Sequence, residues 1–180
     1  MNKFFSHLKT ITKHKLLVTT YCFRAGLIKQ GILHDLSKYS PSEFFPGVKY
    51  YQGTRSPIGA ERRDLGYSKA WLHHKGRNKH HFEYWYDNMP DGSYAPIEMP
   101  FNYLCEMAID RICACKTYQG NNYSQSCAFD YHEATKDISP MHENTRIELE
   151  RILLYVKEFG EEKGLDLIKK ELKEWRRSQK

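Results

Sequence analysis

Apolar residues recur at three- and four-residue steps along nearly the whole of this 180-residue chain, and no alternating strand pattern of useful length appears anywhere in it. A helix patterned in this way has one apolar face, and that face must be buried against another element. Residues 3–25 space Phe4, Leu8, Ile11, Lys15, Val18 and Cys22 at such steps, with Gly26 placed to end the helix. Leu27–Tyr39 reads as a short buried helix interrupted by Gly31 and finished before Pro41. Ser42 to Phe45 start a brief aromatic segment that Pro46 and Gly47 break.

Ser56-Pro57 is an N-cap followed by proline at the first helical position, so one helix is expected from 57 to about 75, closed by Gly76. Asn78–Asp87 is a second short helix or turn, and residues 88–100, with three prolines, are an irregular loop. A helix follows Pro100 to about Tyr118, and Gly120-Asn121-Asn122 is a turn. Ser124–Ala134 is a further helix, and Ser139-Pro140 opens another that Gly160 and Gly164 end. Leu165–Arg177 closes the chain as an amphipathic helix. The expected fold is all-α, one compact domain over residues 1–180 with six to eight helices, since no repeat or composition shift divides the chain.

With 40% hydrophobic and 28% charged residues the chain is globular rather than disordered, and it is long enough to bury a sizeable core. The net charge of +6 gathers near the ends, on Lys3, Lys9, Lys13 and Lys15 and again from Lys169 to Lys180. Solvated helix faces explain such charge better than a nucleic-acid site, and a mild positive potential suits a small anionic substrate. The five cysteines are odd in number and contain no Cys-x-x-Cys, which points to reduced thiols in a cytoplasmic protein and not to a disulfide frame or a zinc ribbon. No apolar run approaches the roughly 20 residues that cross a membrane, and the N-terminus lacks a signal-peptide core.

Chemistry gathers around His34-Asp35, which ends the apolar run Gly31-Ile32-Leu33 and is followed by Lys38. Imidazole and carboxylate ligate divalent metals, and at the last turn of a helix both members of a doublet can reach one ion. His14 lies in the first helix, His73-His74 end a later one, His80-His81 follow the Gly76 turn, and Asp110 lies among Ile109, Arg111 and Ile112. A carboxylate on an apolar face needs a partner, which an arginine or a metal would supply. Taken singly each residue is an ordinary surface or core side chain. Together, four helices each deliver His or Asp near an end or an apolar face, as metal sites in helical bundles are built.

The order His14, His34-Asp35, Asp110 resembles the H…HD…D pattern of the HD-domain metal-dependent phosphohydrolase superfamily. His14 matches the first histidine, Leu33-His34-Asp35-Leu36-Ser37-Lys38 the central doublet, and Ala108-Ile109-Asp110-Arg111 the last aspartate. The resemblance covers about residues 10–116, leaving 123–180 as a helical extension. Two departures are Ser37, where many members have glycine, and the doubled histidines. The aromatic stretch Glu83-Tyr84-Trp85-Tyr86 points to a distinct subfamily.

The resemblance implies one or two divalent transition ions (Mn, Fe, Co, Ni or Zn). It implies His14, His34, Asp35 and Asp110 as ligands of the first, with Asp35 bridging to a second held by His74 and His81, or by His73 and His80 in their place. It implies hydrolysis of a phosphate ester of a nucleotide or other small metabolite, with Asp35 and Lys38 in the catalytic machinery and His80 or His81 as an alternative general acid. Lys38, Arg77 and Lys79 are near enough in sequence to bind the phosphate, or are solvated surface charges. A non-catalytic HD module that binds metal, nucleotide or protein and a di-iron oxygenase are the competing readings.

Overall fold

The computed structural model describes residues 2–179, and among them the chain forms eight α-helices and one small hairpin. The fold is all-α. Helix α1 (Lys3–Arg24) starts at Asn2, whose side chain accepts a hydrogen bond from the Phe4 N–H. Its buried stripe is His7, Ile11, His14, Val18 and Cys22, at three- and four-residue steps. At Gly26 the chain turns with φ +80°, and α2 (Ile28–Leu33) folds back along α1. Lys15 Nζ donates to the carbonyls of Gly31 (2.9 Å) and Ile32 (2.6 Å), and Thr19 Oγ1 donates to Gly31 O (2.8 Å). These bonds satisfy the end of α2, where a helix otherwise leaves carbonyls unpaired.

A 3-10 turn (Leu36–Tyr39) leads to α3 (Pro41–Lys49), followed by α4 (Ile58–Leu65) and α5 (Lys69–Lys75). Strands β1 (Tyr86–Asn88) and β2 (Tyr94–Pro96) pair antiparallel with Asp87 opposite Ala95. Helix α6 (Phe101–Gln119) runs through the middle of the molecule, and α7 (Cys127–Thr135) and α8 (Glu143–Ser178) pack beside it. One contiguous core joins Val18 and Cys22 of α1, Leu104 to Ile109, Ile112 and Cys113 of α6 (Glu106 apart), and Leu149, Ile152, Leu153, Val156, Leu165, Ile168 and Leu172 of α8. Cys22, Cys105 and Cys113 are small core residues, and all five cysteines are free thiols. No helix of the described residues is long and apolar enough to cross a membrane.

Several elements differ from the sequence expectation. The single helix expected over 57–75 is two, because Gly66 adopts φ +79° and Ser68 caps a new helix through the Trp71 N–H. Pro46 and Gly47 do not break the aromatic segment; α3 runs through both. The close packing of α1 favours this, since a Cβ on Gly47 would fall 2.2 Å from His7 Nε2. Segment 27–39 is not a buried helix: Ile28, Ile32, Leu33 and Leu36 are exposed, and the helical path breaks at His34 and Asp35 and not at Gly31. Residues 78–87 follow the turn alternative, with a 3-10 turn at Phe82–Tyr84, and then enter β1, and the 88–100 loop contains β2. The helix expected at Ser124 begins at Cys127. Ser139-Pro140 does not cap α8, which starts after His142, and Gly164 lies inside it; only Gly160 (φ 80°, ψ 167°) interrupts the helical path.

Gly31 allows the close approach of α2 to α1, since a Cβ there would lie 2.9 Å from Cys22 Cβ. Gly31→Ala is therefore expected to destabilise the fold by about 1–3 kcal/mol through overpacking. Denaturant unfolding checks this, and an unchanged midpoint would contradict it.

Candidate metal centre

The centre forms where α2 ends. His34 is the C-cap of α2 with extended ψ (126°), and Asp35 follows in the left-handed region (φ 53°, ψ 22°). This break in the helical path lets neighbouring side chains point into one space, which a continuous helix would forbid by turning them about 100° apart. His34 and Asp35 are 2% and 1% exposed. Helix α1 brings His14, α5 brings His74, the turn after Gly76 brings His80 and His81, and α6 brings Glu106 and Asp110, one helical turn apart on the same face.

Two groups of donor atoms result, each with all its atoms within 4.8 Å of one another. His14, His34, Asp35 and Asp110 make the first. His14 Nε2 lies 2.9 Å from Asp110 Oδ1, and His34 Nε2 lies 3.2 Å from Asp35 Oδ2 and 3.6 Å from Asp110 Oδ1. Asp35, His74, His80 and His81 make the second. His74 Nε2 and His80 Nε2 stand 3.3 and 3.4 Å from Asp35 Oδ1, and His81 Nε2 stands 2.8 Å from His74 Nε2. Asp35 belongs to both groups, with Oδ2 toward the first and Oδ1 toward the second.

Glu43 and Glu106, which the sequence reading did not single out, back the histidines. His34 Nδ1 donates to Glu106 Oε1 at 3.0 Å, and His80 Nδ1 lies 3.2 Å from the same oxygen. His74 Nδ1 donates to Glu43 Oε2 (2.7 Å) and His73 Nδ1 to Glu43 Oε1 (2.6 Å). A carboxylate only accepts, so each of these rings carries its proton on Nδ1. For His34, His74 and His80 that arrangement turns the Nε2 lone pair inward, as in metal sites where a ligand histidine is held through its other nitrogen. The signal available in the sequence was the i, i+4 spacing of Glu106 and Asp110 on a strongly apolar helix.

The donor set fits a metal. His14 Nε2, His34 Nε2, His80 Nε2 and both Asp35 oxygens are buried without a hydrogen bond of acceptable geometry. Ligand atoms that share one ion at about 2.0–2.2 Å stand about 3 Å apart, near the spacings seen here. Four carboxylates (Asp35, Asp110, Glu43, Glu106) face one ammonium, Lys38, whose Nζ is 2.5 Å from Asp35 Oδ2. Protons or cations must balance the excess.

Metal-free, protons do so. Burial opposes charge on His34, yet Asp35 and the close approach of Asp110 and Glu106 raise its pKa well above the usual value. Burial likewise opposes charge on Asp35, but His34, Lys38 and His74 hold its pKa well below the carboxylate range. Against its own burial, Asp110 is held low by His14 and His34. Burial outweighs the pull of Asp110 on His14 and lowers its pKa. Burial, with the charges of His80 and His74, puts His81 well below the usual imidazole range.

The structure thus brings together His14, His34, Asp35, Lys38, His74, His80, His81 and Asp110. Of each histidine pair, His74 reaches the centre while His73 stops at Glu43, and both His80 and His81 reach it. His81 is held neutral, which suits a nitrogen donor and not a general acid near neutral pH. Arg77 and Lys79 are not brought in. Arg77 is exposed and turns back to the His73 carbonyl (3.3 Å), and exposed Lys79 lies over the rings of Tyr84 and Tyr103.

A family model described as a family of unknown function (DUF5662) matches residues 3–154, a stretch that contains the whole centre. The chain belongs to that family. No curated protein and no solved structure matches it.

Asp35→Ala removes the carboxylate common to both groups, so metal retention should be lost while helical circular dichroism persists. Elemental analysis checks this, and full occupancy in the variant would refute the assignment. In metal-free protein the pH dependence has a definite sign. The raised His34 pKa adds stability below the ordinary imidazole value, lost as pH rises through its folded value. The depressed Asp35 and Asp110 pKa values add stability above the ordinary carboxylate value, lost as pH falls through theirs. The lowered His14 and His81 pKa values act in the other direction, costing stability as pH falls below the ordinary imidazole value. The melting temperature should therefore peak at about pH 6.5 and fall on either side. Saturating metal should remove the alkaline fall by replacing the His34 proton.

Proposed function

We propose that this chain is a metal-dependent phosphohydrolase of the HD type that acts on a nucleotide or another small phosphate ester. The observation that carries this reading is the meeting of two His/carboxylate donor groups on one buried aspartate, with a lysine ammonium beside them. Divalent transition ions bound there would supply Lewis acidity toward a phosphoryl oxygen and toward water.

The chain's own residues divide the remaining work. Asp35 offers one oxygen to each donor group, the disposition of a bridging ligand. Neutral His14 and His81 offer uncharged nitrogens, while Asp110 adds negative charge. Lys38 is partly exposed, at 28% of its side chain, and its pKa is raised: the charge of Asp35 outweighs the effect of burial. Its ammonium therefore faces both Asp35 and solvent, a position from which it can meet an incoming phosphate oxygen. The order His14, His34-Asp35, Asp110 along the chain supports the HD assignment. The paired donor groups also suit iron, which makes a di-iron oxygenase the second reading.

A panel of nucleotides and generic phosphate esters, assayed with Mn, Co, Ni, Mg and Fe in turn, tests the proposal. Phosphate release should disappear with chelator and in His34→Ala. Lys38→Ala should lower kcat/KM by about 10–100-fold, the worth of a hydrogen bond to a charged group. Protein that holds metal and releases no phosphate would overturn the reading. Iron near two per chain with a visible absorption band would favour the oxygenase.

A further inference from the structure

Glu106 and Glu43 stand behind the centre, and they do not serve it equally. Glu106 Oε1 receives His34 Nδ1 at 3.0 Å and lies 3.2 Å from His80 Nδ1. His34 belongs to the first donor group and His80 to the second. The two rings are close and tilted, with centroids 4.4 Å apart and planes 34° apart, so one carboxylate oxygen lies near an Nδ1 of each. Glu43 touches only the second group, through His74 Nδ1 at 2.7 Å, and spends its other oxygen on His73. Both carboxylates are buried, at 4% for Glu106 and 6% for Glu43. Among the described residues neither pairs with an arginine or lysine; imidazoles are their charged partners, and Ser37 adds a hydrogen bond to Glu43.

We infer that Glu106 is the positioning residue common to both ion positions, and that Glu43 positions the His74 side alone. The inference rests on the metal reading of the centre. A neutral imidazole carries one ring proton, and whichever nitrogen holds it cannot ligate a metal. By accepting from Nδ1, Glu106 fixes that proton on the outer nitrogen of His34 and His80 together, so both Nε2 atoms stay available. Losing this acceptor frees both rings to turn or to move the proton inward. Losing Glu43 frees His74, while Ser37 Oγ (3.2 Å) and Asn78 Nδ2 (3.2 Å) still adjoin its Nδ1. The two carboxylates are therefore not interchangeable: one couples the two positions, and the other tunes one of them.

Calorimetric titration of Co(II) into metal-free protein separates the roles, with the Co(II) visible spectrum recorded alongside. Wild type, Glu106→Gln, Glu43→Gln and Glu61→Gln are compared. Glu61 is the control, a buried carboxylate that accepts from Ser68 Oγ (2.5 Å) away from the centre. Glu106→Gln should weaken both binding events by about 10–100-fold, the usual cost of removing an outer partner of a ligand histidine. Glu43→Gln should weaken one event by that factor and leave the other, and Glu61→Gln should match wild type.

Imidazole nitrogen NMR of metal-free protein gives a readout that a merely structural role would not move. The Nδ1–H form of His80 should decline in Glu106→Gln, where the neutral amide oxygen is a weaker acceptor and the amide N–H can donate to a bare Nδ1, and should be kept in Glu43→Gln. If Glu106→Gln melts below the assay temperature, Glu106→Asp replaces it, with the same loss expected because the oxygen is withdrawn by one methylene. Wild-type affinity at both positions in the Glu106 variant, or loss of both in Glu43→Gln, would overturn the inference. Wild-type protein that takes up no Co(II) would instead overturn the metal reading beneath it.

Discussion

Taking the Asp35 carboxylate out of water costs several kcal/mol unless its charge is answered, and five side chains answer it: His14, His34, Lys38, His74 and His80. They come from α1, the end of α2, the following 3-10 turn, α5 and the turn after Gly76. The position of those elements is thus tied to one charge. Asp35 is also the one non-glycine residue of the described chain with positive φ, a conformation that aspartate tolerates better than most residues. The local strain and the buried charge fall on the same residue, as expected where a backbone is held for function and not for stability.

The support for that residue lies in the contact of α1 with α2. Lys15 and Thr19 satisfy the carbonyls at the end of α2, and Gly31 lets the helices touch. Around the imidazoles, Glu43 and Glu106 extend the network outward from the centre. His34 holds its orientation through a hydrogen bond on Nδ1 and keeps Nε2 without one. Such a site is ordered before any ligand arrives, which lowers the entropy lost on binding.

The helical class was legible because periodicity is a local property that burial preserves. The stripe Ile11, His14, Val18, Cys22 reads directly from its spacing. His34-Asp35 was legible as a doublet, but its geometry was not: the left-handed turn at Asp35 depends on contacts with α1 and α6. The choice between His73 and His74 was hidden for a similar reason. Neighbouring helical residues point about 100° apart, and only the separate start of α5 at Ser68, absent from a continuous 57–75 helix, decides which one faces inward. Glu43 carries no local mark of its role, and Glu106 only its i, i+4 spacing to Asp110, since a glutamate on a helix is ordinarily a solvated charge. The hairpin escaped because strands of three residues are too short to show alternation. The intrinsic preference of Pro46 is to break a helix, and the packing of α3 on α1 overrides it.

The bend at Gly160 gives the last helix an importance beyond its place at the end of the chain. The family match stops at residue 154, between Leu153 and Val156, which lie on one buried stripe. Past the bend, Leu165, Ile168 and Leu172 return to the same core, and Arg176 Nη2 donates to the carbonyl of Gly26, where α1 gives way to α2. The hydrophobic core of this protein therefore extends past the stretch common to the family. The last helix thus braces, from outside the shared stretch, the corner between the two helices that lead into His34 and Asp35.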